Sequence, residues 1–96
     1  MNRYFVIYNP SSGKELAGYK IFGAAETLMS VENAEFLFYA TKKKGDGEEA
    51  AMRACQFNYE MIIACGGDGT VNEIVNGMMK CCYRPKLAIM PAGTVN

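Results

Sequence analysis

Three short segments of this 96-residue sequence carry groups suited to holding an anion. The strongest is Gly66-Gly67-Asp68-Gly69-Thr70. Three glycines in four positions let the backbone turn tightly and come close to a ligand. Thr70 is placed to cap a helix opening at Val71, whose free N–H groups and positive dipole end then point at the occupant of the loop. Phosphate is the natural occupant. Asp68 beside a phosphate should be repelled, unless it engages a metal ion or takes a proton from an attacking hydroxyl. That makes Asp68 the catalytic candidate; the structural alternative is a tight turn in which Asp68 bonds its own backbone. Asn72 and Glu73 follow within reach of a ligand, although Glu73 also suits the first turn of a helix as a favourable charge.

The second segment is Asn9-Pro10-Ser11-Ser12-Gly13-Lys14. Pro10 stiffens the chain, and Ser11, Ser12 and Gly13 offer backbone N–H groups and hydroxyls to an anion. It is not a Walker A loop, because Tyr8 stands where that motif needs glycine and Glu15 where it needs Ser or Thr. A plain turn accounts for Ser-Ser-Gly equally well. The third segment is Pro91-Ala92-Gly93-Thr94-Val95-Asn96, where Gly93, Thr94 and Asn96 offer backbone approach, a hydroxyl and an amide. Thr41 adds a lone hydroxyl, for which a structural role is the commoner one. Singly the second and third segments are weak. Four polar elements at one edge of a fold point to a phosphorylated ligand, and to a nucleotide first.

The elements that must position these groups follow from the apolar pattern. Tyr4 to Tyr8, Glu35 to Tyr39, Met61 to Cys65 and Leu87 to Met90 are continuous runs, as in strands covered on both faces. Helical spacing links Ala17, Ile21, Ala24, Ala25 and Leu28. A second helix is expected over Glu48 to Phe57, with Ala51, Ala54 and Cys55 inward and Asp46 as its cap. A third joins Val71, Ile74, Val75, Met78, Met79 and Cys82, with Lys80 and Arg84 suiting its dipole and Pro85 stopping it. The order β-α-β-α-β-α-β predicts an α/β fold, a parallel sheet with helices on both faces. Polar loops then fall at the carboxyl ends of the strands, where such sheets bind ligands. Lys42-Lys43-Lys44 is a solvated strand end in preference to a phosphate contact.

Composition excludes several classes. Ten Lys plus Arg balance ten Asp plus Glu, which gives no support for a nucleic-acid binder. Cys55, Cys65, Cys81 and Cys82 form no Cys-x-x-Cys pair and there is no histidine, so they are expected to be reduced, small hydrophobes of a cytoplasmic protein. The first apolar run is too short for a signal peptide. No stretch approaches the roughly 20 apolar residues of a membrane span, so any membrane contact is peripheral. Seven methionines and apolar helix faces lead us to expect a homo-oligomer.

Together, Asn9 to Gly13, Gly66 to Thr70 and Pro91 to Asn96 resemble the catalytic domain of diacylglycerol kinases and their bacterial and sphingoid-base relatives. That family carries Asn-Pro-x-Ser/Ala-Gly, Gly-Gly-Asp-Gly-Thr and Pro-x-Gly-Thr-x-Asn loops at about this spacing. Ala40 to Gly47 looks like the family's exit from the second strand, where a threonine approaches the nucleotide. The resemblance covers the whole chain. It implies a two-domain lipid kinase whose first domain shares its fold with NAD kinases and phosphofructokinases. ATP would lie on the glycine loops, and its γ-phosphoryl group would pass to a lipid hydroxyl at the membrane surface. By motif match Asn9, Ser11, Ser12, Gly13, Thr41, Gly66, Gly67, Gly69, Thr70, Asn72 and Thr94 would bind nucleotide, and Asp68 would assist the acceptor hydroxyl. A β-sandwich domain would complete the cleft and supply acidic residues for Mg2+. Residues 1–96 are therefore expected to be the N-terminal nucleotide-binding domain alone, a fragment weak or inactive as a kinase.

Three rivals remain at this level. An NAD kinase shares the Gly-Gly-Asp-Gly-Thr loop, but the Asn9 and Pro91 loops favour the lipid branch. A non-catalytic module that binds ATP or ADP fits an isolated domain. A flavodoxin-like or receiver-type domain would want acids near the first strand, where this chain has Asn2, Arg3 and Asn9.

Overall fold

The computed structural model describes residues 2–10 and 33–91. The helix expected between Ala17 and Leu28 lies outside the described residues, as do Ser11, Ser12, Gly13, Gly93, Thr94 and Asn96. The described elements run β1 (Asn2–Tyr8), β2 (Ala34–Ala40), α1 (Asp46–Gln56), β3 (Met61–Gly66), α2 (Asp68–Met79) and β4 (Lys86–Pro91). The strands form one sheet in the order β2-β1-β3-β4, and every pairing is parallel.

All four apolar runs are strands, each longer than its run by one or two residues. The inner strand β1 buries Phe5, Val6 and Ile7 in succession, so both of its faces are covered. Alternate side chains divide into two layers. Phe5, Ile7, Ile62 and Ala64 join Ala50, Ala51 and Ala54 of α1 and Ile74 and Met78 of α2 in the main core. Val6 and Cys65 are buried on the other face beside Tyr8, Phe36, Phe38, Ile63 and Met90. Ile7, Ile62 and Ile74 have no exposed surface, and burial of such a side chain stabilises by roughly 1.5–3 kcal/mol.

Both helices begin earlier than their apolar periods. Gly45, at φ 94, is the residue that turns into α1. A residue with a Cβ would be strained in that left-handed conformation. Asp46 is accordingly the first helical residue and not its cap. Its Oδ2 turns back to accept the N–H groups of Lys42 and Lys43, at 2.8 and 3.0 Å. The inward residues of α1 are as expected, with Ala51, Ala54 and Cys55 all buried.

Helix α2 starts at Asp68, because the Val71 N–H already donates to the Gly67 carbonyl. Thr70 thus sits inside the first turn and does not cap it. The helix ends at Met79, well short of Pro85, and Cys82 lies beyond it, exposed. Of the expected apolar face only Ile74 and Met78 are fully buried, while Met79 is 65% exposed. Helix α2 packs on α1 through Gly77, while Val71 and Val75 stay half-buried.

The amino-terminal edge of the sheet is closed. The Arg3 guanidinium lies 4.1 Å from the Tyr59 ring centre and donates to the Phe57 carbonyl, and the Tyr83 hydroxyl donates to the Tyr59 carbonyl at 3.0 Å. The opposite edge carries the polar loops. Among the described residues no helix is long and apolar enough to cross a membrane.

Candidate nucleotide site at the carboxyl edge of the sheet

Parallel register decides which loops meet. Tyr8 is level with Ala40 on one side and Cys65 on the other, and Cys65 is level with Met90. Thr41, Asn9, Gly66 and Pro91 therefore stand in one row at the carboxyl edge. Adjacent strands lie about 4.8 Å apart, so the row spans roughly 14 Å. Two hydrogen bonds stitch it: Thr41 N–H to the Tyr8 carbonyl, 2.8 Å, and Asn9 N–H to the Cys65 carbonyl, 3.3 Å. The strand order reverses direction between β1 and β3, the switch point where open α/β sheets form a ligand crevice.

The glycine loop enters α2 at this point. Gly66 must be small, since a Cβ there would lie 2.9 Å from the Thr70 hydroxyl and 3.0 Å from its Cβ. Gly67 and Gly69 differ, because a Cβ on either would meet open space. Packing among the described residues gives neither a reason to be glycine. Gly67 caps α2 without any side-chain hydrogen bond, and the first N–H groups of a helix, which lack an intrahelical partner, suit an external acceptor.

A small hollow of about 260 Å³ lies between this loop and the exit from β2, lined by Asn9, Thr41, Lys42, Lys43, Lys44, Gly69, Thr70 and Glu73. Thr41 is buried, and its hydroxyl donates to the Tyr8 carbonyl at 3.3 Å. The three lysines are exposed, as a solvated run should be, yet they also form one wall of the hollow. Lys43 Nζ lies 3.5 Å from Asp46 Oδ1. Hydrogen bonds from the Lys42 and Lys43 backbone hold the Asp46 carboxyl below its ordinary range. Lysines beside a helix amino terminus give the hollow the sign that attracts phosphate.

On the other flank of the glycine loop is a hollow of about 870 Å³, lined by Gly66, Gly67, Asp68, Gly69, Val71, Asn72, Val75 and Ile89. Asp68 and Asn72 are exposed at its polar end, while Val71, Val75 and Ile89 make an apolar wall. The glycine loop thus divides a cationic hollow from a largely apolar one. Among the described residues no three His, Cys, Asp or Glu side chains gather as a metal cage.

Of the residues singled out in the sequence, Asn9, Thr41, Gly66, Gly67, Asp68, Gly69, Thr70, Asn72 and Glu73 converge on this edge. Glu73 directs its carboxylate to the backbone N–H groups of Gly45 and Gly47. The sequence put the lysines second as a phosphate contact, behind a solvated strand end, and it read Asp46 as a helix cap without linking it to this edge. Three lysines directly after an apolar run were the available signal for the lysine wall. No local pattern announced the part played by Asp46.

The model of the diacylglycerol kinase catalytic domain matches residues 3–96. Proteins named diacylglycerol kinase from Staphylococcus carnosus (strain TM300) and Staphylococcus aureus (strain JH9) are each 48% identical over 93 residues. The match takes in 95% of this chain but 29% of either relative, so the chain spans less than a third of their length. The crystal structure of a diacylglycerol kinase from Bacillus anthracis str. Sterne superposes with a TM-score of 0.82 at 31% identity, covering 99% of this chain and 32% of that one. A strand-by-strand fold, a glycine loop at the switch point and a family match over nearly every residue agree: this chain belongs to the diacylglycerol kinase catalytic domain family.

Proposed function

We propose that the chain supplies the ATP-binding lobe of a lipid kinase that transfers the γ-phosphoryl group of ATP to a lipid hydroxyl. The observation that carries this is the open space over Gly67 and Gly69 beside the uncapped start of α2. The N–H groups at the start of α2 cradle phosphate oxygens, and Lys42 to Lys44 raise the local positive potential. Thr41 and Asn9 hold the near side of the nucleotide. The resemblance extends the same duty to Ser11, Ser12, Gly13, Gly93, Thr94 and Asn96.

On the apolar flank, Asp68 receives the proton of the acceptor hydroxyl as its oxygen attacks the terminal phosphorus and the bond to the bridging oxygen of ADP breaks. Val71, Val75 and Ile89 give that flank a surface compatible with an acyl-bearing acceptor. Most of the catalytic effect in such a transfer is positioning and charge neutralisation. Phosphoryl transfer of this kind uses a magnesium ion to neutralise phosphate charge, and the described residues alone do not make a complete site for one.

We expect residues 1–96 to bind ADP. Calorimetric titration with ADP, paired with phosphate-transfer assays to diacylglycerol and to NAD, tests the proposal. Binding of ADP, with transfer to diacylglycerol by the chain joined to a relative's remaining residues, supports it. Failure to bind ADP, or transfer to NAD in preference, overturns it.

A further inference from the structure

Glu73 is the one acidic residue of the small hollow's wall, and its carboxylate is fully engaged elsewhere among the described residues. Oε2 accepts the N–H of Gly45 and Oε1 accepts the N–H of Gly47, both at 2.9 Å. Gly45 caps α1, and it has no side chain to satisfy the first helical N–H groups. Glu73 therefore caps α1 from another helix, 26 residues away from Gly47 in sequence. The seat is shaped for it: a Cβ on Gly47 would lie 2.8 Å from Glu73 Oε1 and 3.1 Å from Glu73 Cβ.

The link continues toward the nucleotide edge. Asp46, between the two glycines, holds the N–H groups of Lys42 and Lys43. Thr41 follows, bonded through its N–H and its hydroxyl to the Tyr8 carbonyl at the end of β1. Hydrogen bonds, joined by the peptide links of the 41–47 segment itself, thus connect α2 through the start of α1 to the threonine and lysines that line the small hollow.

We propose that Glu73 is a positioning residue that touches no substrate: by capping α1 from α2 it sets the distance between the glycine loop and Thr41. The inference rests on the nucleotide-binding reading of this edge. Its physical basis is that α2 carries the phosphate-facing N–H groups at one end and Glu73 a turn later, so both jaws of the hollow are referred to one helix. Without the cap, the bonds described for the 41–47 segment are local ones, within the segment and to the first turn of α1, apart from those of Thr41 to Tyr8.

The test is a double-mutant cycle on ADP affinity, measured by calorimetry on the 96-residue chain. Glu73→Gln presents an amide donor to one of the two N–H groups and is expected to weaken ADP binding about tenfold. Thr41→Val removes the hydroxyl alone. If Glu73 acts through the Thr41 segment, Glu73→Gln costs less than about twofold in the Thr41→Val background. Gly47→Ala, which keeps the carboxylate but fills its seat, should reproduce the loss and serves if Glu73→Gln does not fold. Circular dichroism confirms that each variant is folded. Additive losses, or unaltered affinity in folded Glu73→Gln or Gly47→Ala, overturn the positioning role while leaving the nucleotide site standing. No ADP binding by the unaltered chain removes the site and the positioning role together.

Discussion

Gly77 of α2 lies against the backbone carbonyl of Glu48 in α1, so closely that a Cβ at position 77 would overlap that oxygen and reach the Ala51 Cβ at 3.0 Å. The two helices meet through this contact, and the Lys80–Glu48 ion pair closes the same side. Since α2 carries the glycine loop and α1 follows the Thr41 segment, this contact and the Glu73 cap fix the two halves of the site relative to one another.

Gly77→Ala should therefore destabilise the fold. Alanine favours a helix interior by about 1 kcal/mol over glycine. Overlap with backbone cannot be relieved by a rotamer change and costs about 1–3 kcal/mol. The net expectation is a loss of about 1 kcal/mol, seen as a lower urea midpoint. An unchanged or raised midpoint would contradict the helix contact.

Gly69→Ala should behave in the opposite way. None of the described residues occupies the space over Gly69, which lies in the first turn of α2. Stability should stay level or rise slightly, while ADP affinity falls at least about tenfold because the methyl group fills the phosphate seat. Equal losses of stability and affinity would show that Gly69 serves the fold and not the ligand.

Acid should release the Thr41–Asp46 segment. The Asp46 carboxyl titrates below its ordinary value of 3.8 because the N–H groups of Lys42 and Lys43 bond its charged form. A carboxyl depressed in the native state stabilises in full above its unfolded value, and this stabilisation fades as pH falls through the native value. Urea unfolding across pH 6 to pH 2 should show this loss, and Asp46→Asn should flatten it. The same acid slope in Asp46→Asn would assign the effect to other carboxylates.

The cysteines should divide by burial. Burial pushes the thiols of Cys55 and Cys65 up to about 11, with the neighbouring Cys81 adding to the effect at Cys55. Cys82 is exposed. Iodoacetamide at neutral pH should modify Cys82 first, and Cys55 and Cys65 only after denaturation. Rapid labelling of Cys65 would mean that the Val6–Cys65 layer is not packed as described.

How much of this was legible beforehand depended on distance along the chain. The four strands could be read because Phe5-Val6-Ile7 and Met61-Ile62-Ile63 are continuous apolar runs, the pattern of strands in a sheet covered on both faces. The glycine loop could be read because its chemistry is packed into five adjacent residues. Helix starts were misplaced, at Val71 for Asp68 and at Glu48 for Asp46. Apolar spacing marks where a helix begins to be buried, whereas the first hydrogen bonds mark where it begins.

By itself, then, the sequence determined element type, the parallel α/β class and the glycine-rich turn of Gly66 to Thr70 on which the nucleotide proposal rests, since each depends on neighbours a few residues apart. Tertiary structure alone decided that Thr41, Asn9 and Gly66 stand in one row, that α2 turns Met79 outward, and that Glu73 caps Gly45 and Gly47. Those relations join residues far apart in sequence. They exist only when register and close packing bring the strands and helices together, and no local periodicity encodes them.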